Sequence, residues 1–215
     1  MSARVESGIV AAGARDVPRL ALVLSAAFAD NPVSDWIFNG HQDEHNPAFF
    51  APFLSWAVQA GRVEQSSDGT AVAIWINNTT PQPAALVDAI HHEVATAVGP
   101  HLHRWEAFEH AADANAPTEP HWWLAFLGAL PAHQGRGHGG RLLDHAARWL
   151  QGTPAYLEAT SRRLAGFYGR HGWHDVAPIR VPDGPVLHRM RHPGTLGPTP
   201  LVVGRAAVVD QAVGA

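Results

Sequence analysis

Along the chain the spacing of apolar residues switches between two and about 3.6, which predicts alternating strands and helices. Val5 to Ala12 reads as a first strand. Asp16 offers an N-cap and Pro18 sits just inside a helix that carries Leu20, Leu22, Val23, Leu24 and Phe28 and stops at Asp30-Asn31-Pro32. A second helix is expected from Pro47 to Gly61, with Phe49, Phe50, Phe53, Leu54, Trp56 and Val58 on a broad apolar face. Arg62–Gln65 and Thr70–Ile76 read as a hairpin around Ser66-Ser67-Asp68-Gly69. Residues 80–117 keep a helical period and break near Gly99-Pro100, which predicts two helices, and 116–120 reads as a linker.

The strongest apolar run, His121 to Leu130, predicts a central strand. A glycine-rich turn and a helix from Gly139 to Leu150 follow it, then a short strand over Pro154–Glu158 and a short helix over Arg162–His171 closed by Gly172. Trp173–Val181 and Val186–Arg191 form a last hairpin around Pro182-Asp183-Gly184-Pro185. No internal repeat is visible. One parallel crossover among antiparallel hairpins predicts a mixed α/β (α+β) sheet rather than a doubly wound one. Residues 1–193 are expected to form a single domain, with 194–215 as a tail.

Composition narrows the chemistry. Among 215 residues, 46% are hydrophobic and 16% charged, as in a globular domain. A net charge of −4 argues against nucleic acid and against a polybasic membrane anchor. The chain has no cysteine, and all fifteen of its basic residues are arginine. Thiolate metal sites, cysteine nucleophiles, Schiff bases and a P-loop lysine are therefore excluded. Arg4, Glu6, Arg15 and Asp16 interrupt any leader-like run, and no apolar stretch reaches the roughly 18 residues of a spanning helix, so a cytoplasmic protein is expected.

The turn Gln134-Gly135-Arg136-Gly137-His138-Gly139-Gly140 lies between a strand and an amphipathic helix. Glycines let the backbone approach an anion, and the helix N-terminus adds partial positive charge, so a phosphate or pyrophosphate ligand is implied. Arg136 could add a charged contact. Gly135, Gly137 and Gly140 also satisfy the dinucleotide fingerprint, with Glu158 ending the next strand, which keeps a nicotinamide-dependent reductase as a remote alternative. The position late in the chain and the few elements after it count against that reading.

The same turn resembles the signature of the GNAT superfamily of N-acetyltransferases, through Gln134, Gly137 and Gly139. Phe167-Tyr168-Gly169-Arg170-His171-Gly172-Trp173 resembles the family's second motif. The resemblance implies a mostly antiparallel, twisted central sheet flanked by helices and splayed between its fourth and fifth strands. It implies acetyl-CoA as co-substrate, its pyrophosphate on residues 134–140 and its pantetheine arm against Leu127, Gly128 and Ala129. Within the superfamily, residues 8–193 are most similar to the puromycin N-acetyltransferases. Arg15–Arg19, Ala26–Pro32, Ala71–Trp75, Glu119–Trp122, Tyr156–Glu158 and Val181–Pro185 carry that similarity. Leu164 departs from the family's usual asparagine, and segments 33–51 and 76–116 match poorly. The implied function is acetylation of a small-molecule amine, such as puromycin or a related aminonucleoside, in antibiotic resistance or detoxification. A non-catalytic acyl-CoA sensor of the same fold is the alternative.

Acetyl transfer needs a neutral amine, a polarised carbonyl and a proton for the leaving thiolate. Tyr168 is the general-acid candidate, or else a packed phenol. Glu158 is the base candidate, or else a structural partner of Arg162 or Arg163. Asp30 is a second carboxylate candidate at a helix end. With no cysteine or lysine, direct transfer is favoured. Of eight tryptophans, Trp123 and Trp149 are expected in the core, whereas Trp36, Trp56, Trp75, Trp105 and Trp122 could include walls of an acceptor pocket. Trp36 and Trp122, with Asp30, are the acceptor-site candidates. His91-His92 and His101-x-His103 lack one-face ligand spacing, so no metal is expected there. His133 and His138 flank the loop, either assisting the anion or facing solvent. A monomer or homodimer is expected.

Overall fold

A computed structural model describes residues 8–40 and 47–194. The described elements are β1 (Ile9–Ala11), α1 (Val17–Ala27), α2 (Pro32–Ile37), α3 (Pro47–Ala60), β2 (Gly61–Ser66), β3 (Ala71–Asn78), α4 (Ala84–Val98), α5 (Leu102–Asp113), β4 (His121–Ala129), α6 (His138–Leu150), β5 (Ala155–Ala159), α7 (Arg162–Gly169), β6 (His174–Arg180) and β7 (Val186–His192). The strands form one sheet in the order β1-β2-β3-β4-β5-β7-β6. Hairpin neighbours pair antiparallel. Among the described residues only β4 and β5 run parallel, because α6 carries the chain back to the starting end of β4.

Both faces of the sheet are covered, and β3 shows how. Val72, Ile74 and Ile76 point into a core shared with α1 and α3, while Ala71, Ala73 and Trp75 point into a second core under α6 and α7. All six are fully buried. Strand alternation thus sends the side chains of Ala71 to Ile76 into one core or the other in turn.

The predicted elements form with small boundary shifts, and three local differences have clear causes. Asp16 does not cap α1 with its side chain; its Oδ2 accepts from the Gly13 N–H at 3.0 Å instead. Residues 32–37, left without an element by the sequence reading, form α2, because Asn31 Oδ1 accepts from the Val33 N–H at 2.9 Å and Pro32 presets the first turn. The helix expected to reach His171 ends at Gly169, and Gly172 turns the chain at φ +83°. Residues 5–7 of the expected first strand and 195–215 of the expected tail lie outside the described residues. Among the described residues no helix is long and apolar enough to cross a membrane.

Candidate active site

Among the described residues β4 and β5 pair at Trp122↔Ala155 and Trp123↔Tyr156 alone. Beyond that point β4 continues along β3 to Ala129, while β5 continues along β7 to Ala159. The sheet therefore opens between its fourth and fifth strands. A bulge in β4, where Ile74 faces Phe126 but Trp75 faces Leu124, switches which amides face the opening. The Trp122 N–H still bonds to Pro154 O on the β5 side, at 2.9 Å. After the bulge, the Leu130 N–H bonds back to Thr70 O at 2.9 Å, so alternation turns the Leu127 and Ala129 amides into the gap. A cavity of about 950 Å³ fills this gap.

The loop after β4 shapes one end of the cavity. Gly135 and Gly137 take φ of +71° and +82°, which side-chain-bearing residues rarely adopt. Gly137 sits at the N-cap of α6 and no side chain caps that helix, leaving its first amides open to the cavity. Gly139 and Gly140 pack closely: a Cβ at Gly140 would lie 2.8 Å from the His171 ring. Gln134 folds back, its Nε2 donating to Ala129 O at 3.2 Å, so it holds the loop's shape. Gly135, Gly137, His138, Gly139 and Gly140 all line the cavity, as do Leu127, Gly128 and Ala129. Gly128 has an additional cause, since a Cβ there would meet Ala27 of α1 at 2.9 Å. Arg136 is exposed and does not line the cavity; its carbonyl accepts from Arg141. Arg163 of α7 and Arg170, just past its end, stand on the cavity wall instead. These open amides and the absent Cβ atoms suit the diphosphate of acetyl-CoA.

Glu158 lies on β5 where the strands part. Its Oε2 accepts from Trp123 Nε1 at 3.0 Å. Burial raises its carboxyl from 4.5 to about 7, against the opposing pull of the Trp123 donor. Tyr156, two residues earlier on the same strand face, has its phenol pushed up by burial and by the Glu158 carboxylate. Neither Arg162 nor Arg163 forms an ion pair with Glu158 among the described residues, so the structural-partner reading has no support here.

Tyr168 comes from α7, which Ser161 caps by accepting from the Leu164 N–H at 3.3 Å. Its ring is wedged between Phe167 and Trp173, and it lines the same cavity as Glu158 and the glycine loop. Burial pushes its phenol up, so it stays protonated. Asn31 stitches the two sides of the opening together, its Nδ2 donating to Thr160 Oγ1 at 3.0 Å. Nothing in the local sequence marks that pairing across 129 residues.

The other end of the cavity is aromatic and acidic. Phe49, Phe53, Trp56, Trp105, Trp123 and Phe126 line it. Asp30 lines the same cavity. The structure does not bring Trp36 or Trp122 there. Trp36 Nε1 donates to Asp183 O at 2.8 Å, pinning α2 to the last hairpin turn. Trp122 points to the opposite face and packs edge-on against Trp149. Trp75 is fully buried in that same second core. Strand alternation decides these cases: Trp122 and Trp123 are neighbours, so only one can face the cavity. Two acids of α5, not among the sequence-based candidates, also reach this cavity. Glu109 and Asp113, one turn apart, line the cavity with Trp105. The i, i+4 spacing of all three was the available signal. Burial raises the Glu109 carboxyl; His91 opposes that shift and Asp113 adds to it.

The reading of His133 and His138 as solvent-facing fails for His138. It is the first residue of α6 and buried, with no hydrogen-bond partner at Nδ1. The dinucleotide alternative fails as well, because a single parallel strand pair cannot build that fold.

A family model for acetyltransferases of the GNAT family matches residues 42–173, more than half of the chain. A solved structure from Corynebacterium glutamicum, described as histone acetyltransferase HPA2 and related acetyltransferase, is 25% identical; the match covers 90% of this chain and 98% of that one, with a TM-score of 0.60. Arylalkylamine N-acetyltransferase 2 from Aedes aegypti shares the fold at 12% identity, with 88% and 100% covered and a TM-score of 0.63. Drosophila melanogaster polyamine N-acetyltransferase, which forms N-acetylagmatine, does so at 21% identity, with 86% and 99% covered and a TM-score of 0.54.

Proposed function

The chain belongs to the GNAT acetyltransferase family, and from that premise we propose that it moves the acetyl group of acetyl-CoA directly onto the amine of a small molecule with an aromatic or apolar body. The observation that carries this reading is that the glycine loop, Glu158 and Tyr168 line one cavity, at the place where β4 and β5 part.

In this reading the loop and the α6 N-terminus hold the diphosphate, and the free amides of Leu127 and Ala129 hold the pantetheine arm and polarise the thioester carbonyl. Glu158 takes the proton from the acceptor ammonium, directly or through water. The amine nitrogen then attacks the carbonyl carbon, the C–N bond forms and the C–S bond breaks. Tyr168 gives its proton to the leaving sulfur, and the second proton shed by the nitrogen as it becomes an amide returns to the Tyr168 phenolate through water. A carboxyl near 7 is matched to accepting a proton at neutral pH, and a phenol held protonated is matched to giving one.

The aromatic end supports an acceptor with planar bulk, and Asp30, Glu109 and Asp113 support one that carries positive charge. An aminonucleoside of the puromycin type fits that description, and with it a role in resistance or detoxification. The test is to incubate the untagged protein with acetyl-CoA and a panel of puromycin, arylalkylamines, agmatine and polyamines, following released thiol. Turnover with aromatic amines is expected. Failure to bind acetyl-CoA overturns the whole reading, and turnover confined to aliphatic polyamines overturns the aromatic acceptor.

A further inference from the structure

Asp68, His133 and His138 converge beside the glycine loop, and we infer that these three side chains form a binding site for a divalent transition metal ion at the edge of the diphosphate cradle. One ligand atom from each lies within 4.8 Å of the other two. The cluster joins three separate elements: the tip of the β2–β3 hairpin, the 3-10 turn Pro131–His133 after β4, and the first residue of α6. The sheet places them together. Ala71 pairs with Ala129, and the Leu130 N–H bonds to Thr70 O, so the hairpin tip must lie over the loop.

Two of the three ligands, His138 and Asp68, are prepared for a cation. His138 is 6% exposed, and its Nδ1 is buried without a partner. Burial, with Arg141 adding to it, lowers its pKa, so the ring is neutral and holds a lone pair for a metal. The Asp68 carboxyl is raised by burial but held lower overall by donors from Ser66 and Thr70, so it is ionised. Its Oδ1 accepts from Ser66 Oγ at 2.5 Å and from Thr70 Oγ1 at 2.8 Å, which fixes the carboxylate's direction. The rings of His133 and His138 are 6.0 Å apart. Tetrahedral ligands with bonds near 2.0 Å sit about 3.3 Å from one another, so small side-chain rotations complete the set. Two imidazoles and one carboxylate suit Zn²⁺ or Co²⁺ better than Mg²⁺ or Ca²⁺.

One opposing term sharpens the inference. The α6 N-terminus and Arg141 repel a cation at this place. A bound diphosphate would cancel that repulsion and could occupy the metal's fourth position. Metal and acetyl-CoA should therefore bind cooperatively, each raising the other's affinity by the same factor. This part rests on the reading of the loop as the acetyl-CoA cradle.

The experiment is calorimetry on untagged protein, with Zn²⁺ alone, acetyl-CoA alone, and Zn²⁺ in saturating acetyl-CoA, each corrected by a titration without protein. Co²⁺ serves as a spectroscopic probe of the ligand set. We expect one Zn²⁺ per chain, bound about tenfold more tightly with acetyl-CoA present. Asp68→Asn, whose amide oxygen can still accept from Ser66 and Thr70, should weaken Zn²⁺ by about tenfold or more while keeping metal-free acetyl-CoA affinity. His133→Gln should weaken Zn²⁺ likewise. Zn²⁺ affinity unchanged in both variants, or acetyl-CoA affinity indifferent to Zn²⁺, overturns the site. Absent acetyl-CoA binding under every condition instead overturns the cradle reading.

Discussion

Trp123 Nε1 and Glu158 Oε2 are 3.0 Å apart, on adjacent parallel strands, at the point where those strands stop pairing. The indole N–H meets part of the carboxylate's hydrogen-bonding need while burial holds the carboxyl near 7. Replacing Glu158 with Gln keeps an acceptor for Trp123 and removes the base. A fall in kcat of about 10² or more is expected. In the native enzyme kcat/KM should rise with pH through about 7, and that limb should vanish in the variant. A pH–rate profile of both proteins checks this.

The same shift predicts stability. Because folding raises this carboxyl from 4.5 to about 7, the folded state prefers the protonated form. That stabilisation is complete below about 4.5 and is lost as the pH rises through about 7. Between those limits Glu158→Gln should gain roughly 3 kcal/mol relative to the native chain. Urea unfolding at pH 5 and pH 8 reads the difference; an unchanged gap between the two proteins would contradict the raised carboxyl.

Tyr168→Phe removes the proton donor and leaves the ring between Phe167 and Trp173. We expect kcat to drop by about 10² with acetyl-CoA affinity unchanged. Single-turnover kinetics and calorimetry separate the two effects. A non-catalytic sensor would show no turnover in either protein.

A Cβ at Gly140 would meet the His171 ring at 2.8 Å. In an ordinary helix interior, Gly→Ala gains up to about 1 kcal/mol. Here Gly140→Ala should cost about 1–3 kcal/mol through overpacking and should weaken acetyl-CoA binding. Adding His171→Ala should reverse the sign. Thermal unfolding of the two single variants and the double variant completes the cycle.

Glu109 and Asp113 face the acceptor end from one side of α5. Glu109→Gln should lower kcat/KM about tenfold for an acceptor carrying a second positive charge, and little for a monoamine. Equal losses on both acceptors would assign Glu109 a purely structural part.

Much of this was legible along the chain. The glycine spacing, the Phe167-Tyr168 motif and Glu158 at a strand end are local patterns, since loop shape, helix start and strand end are set by residues close in sequence. The strands and helices followed from apolar period for the same reason. The acceptor pocket was not legible. Whether Trp122 or Trp123 faces the opening depends on strand register, and Trp36 was drawn away by a carbonyl 147 residues distant. Glu109 and Asp113 share a cavity with Glu158 only because helix packing brings α5 to it. The sequence by itself determined the loop, the acid and base candidates and the mixed sheet, because short-range backbone preferences encode them. Only the tertiary structure decided which tryptophans and carboxylates line the cavity, and that Asp68 stands beside two histidines, because those neighbours are made by strand pairing and helix packing across long stretches of chain.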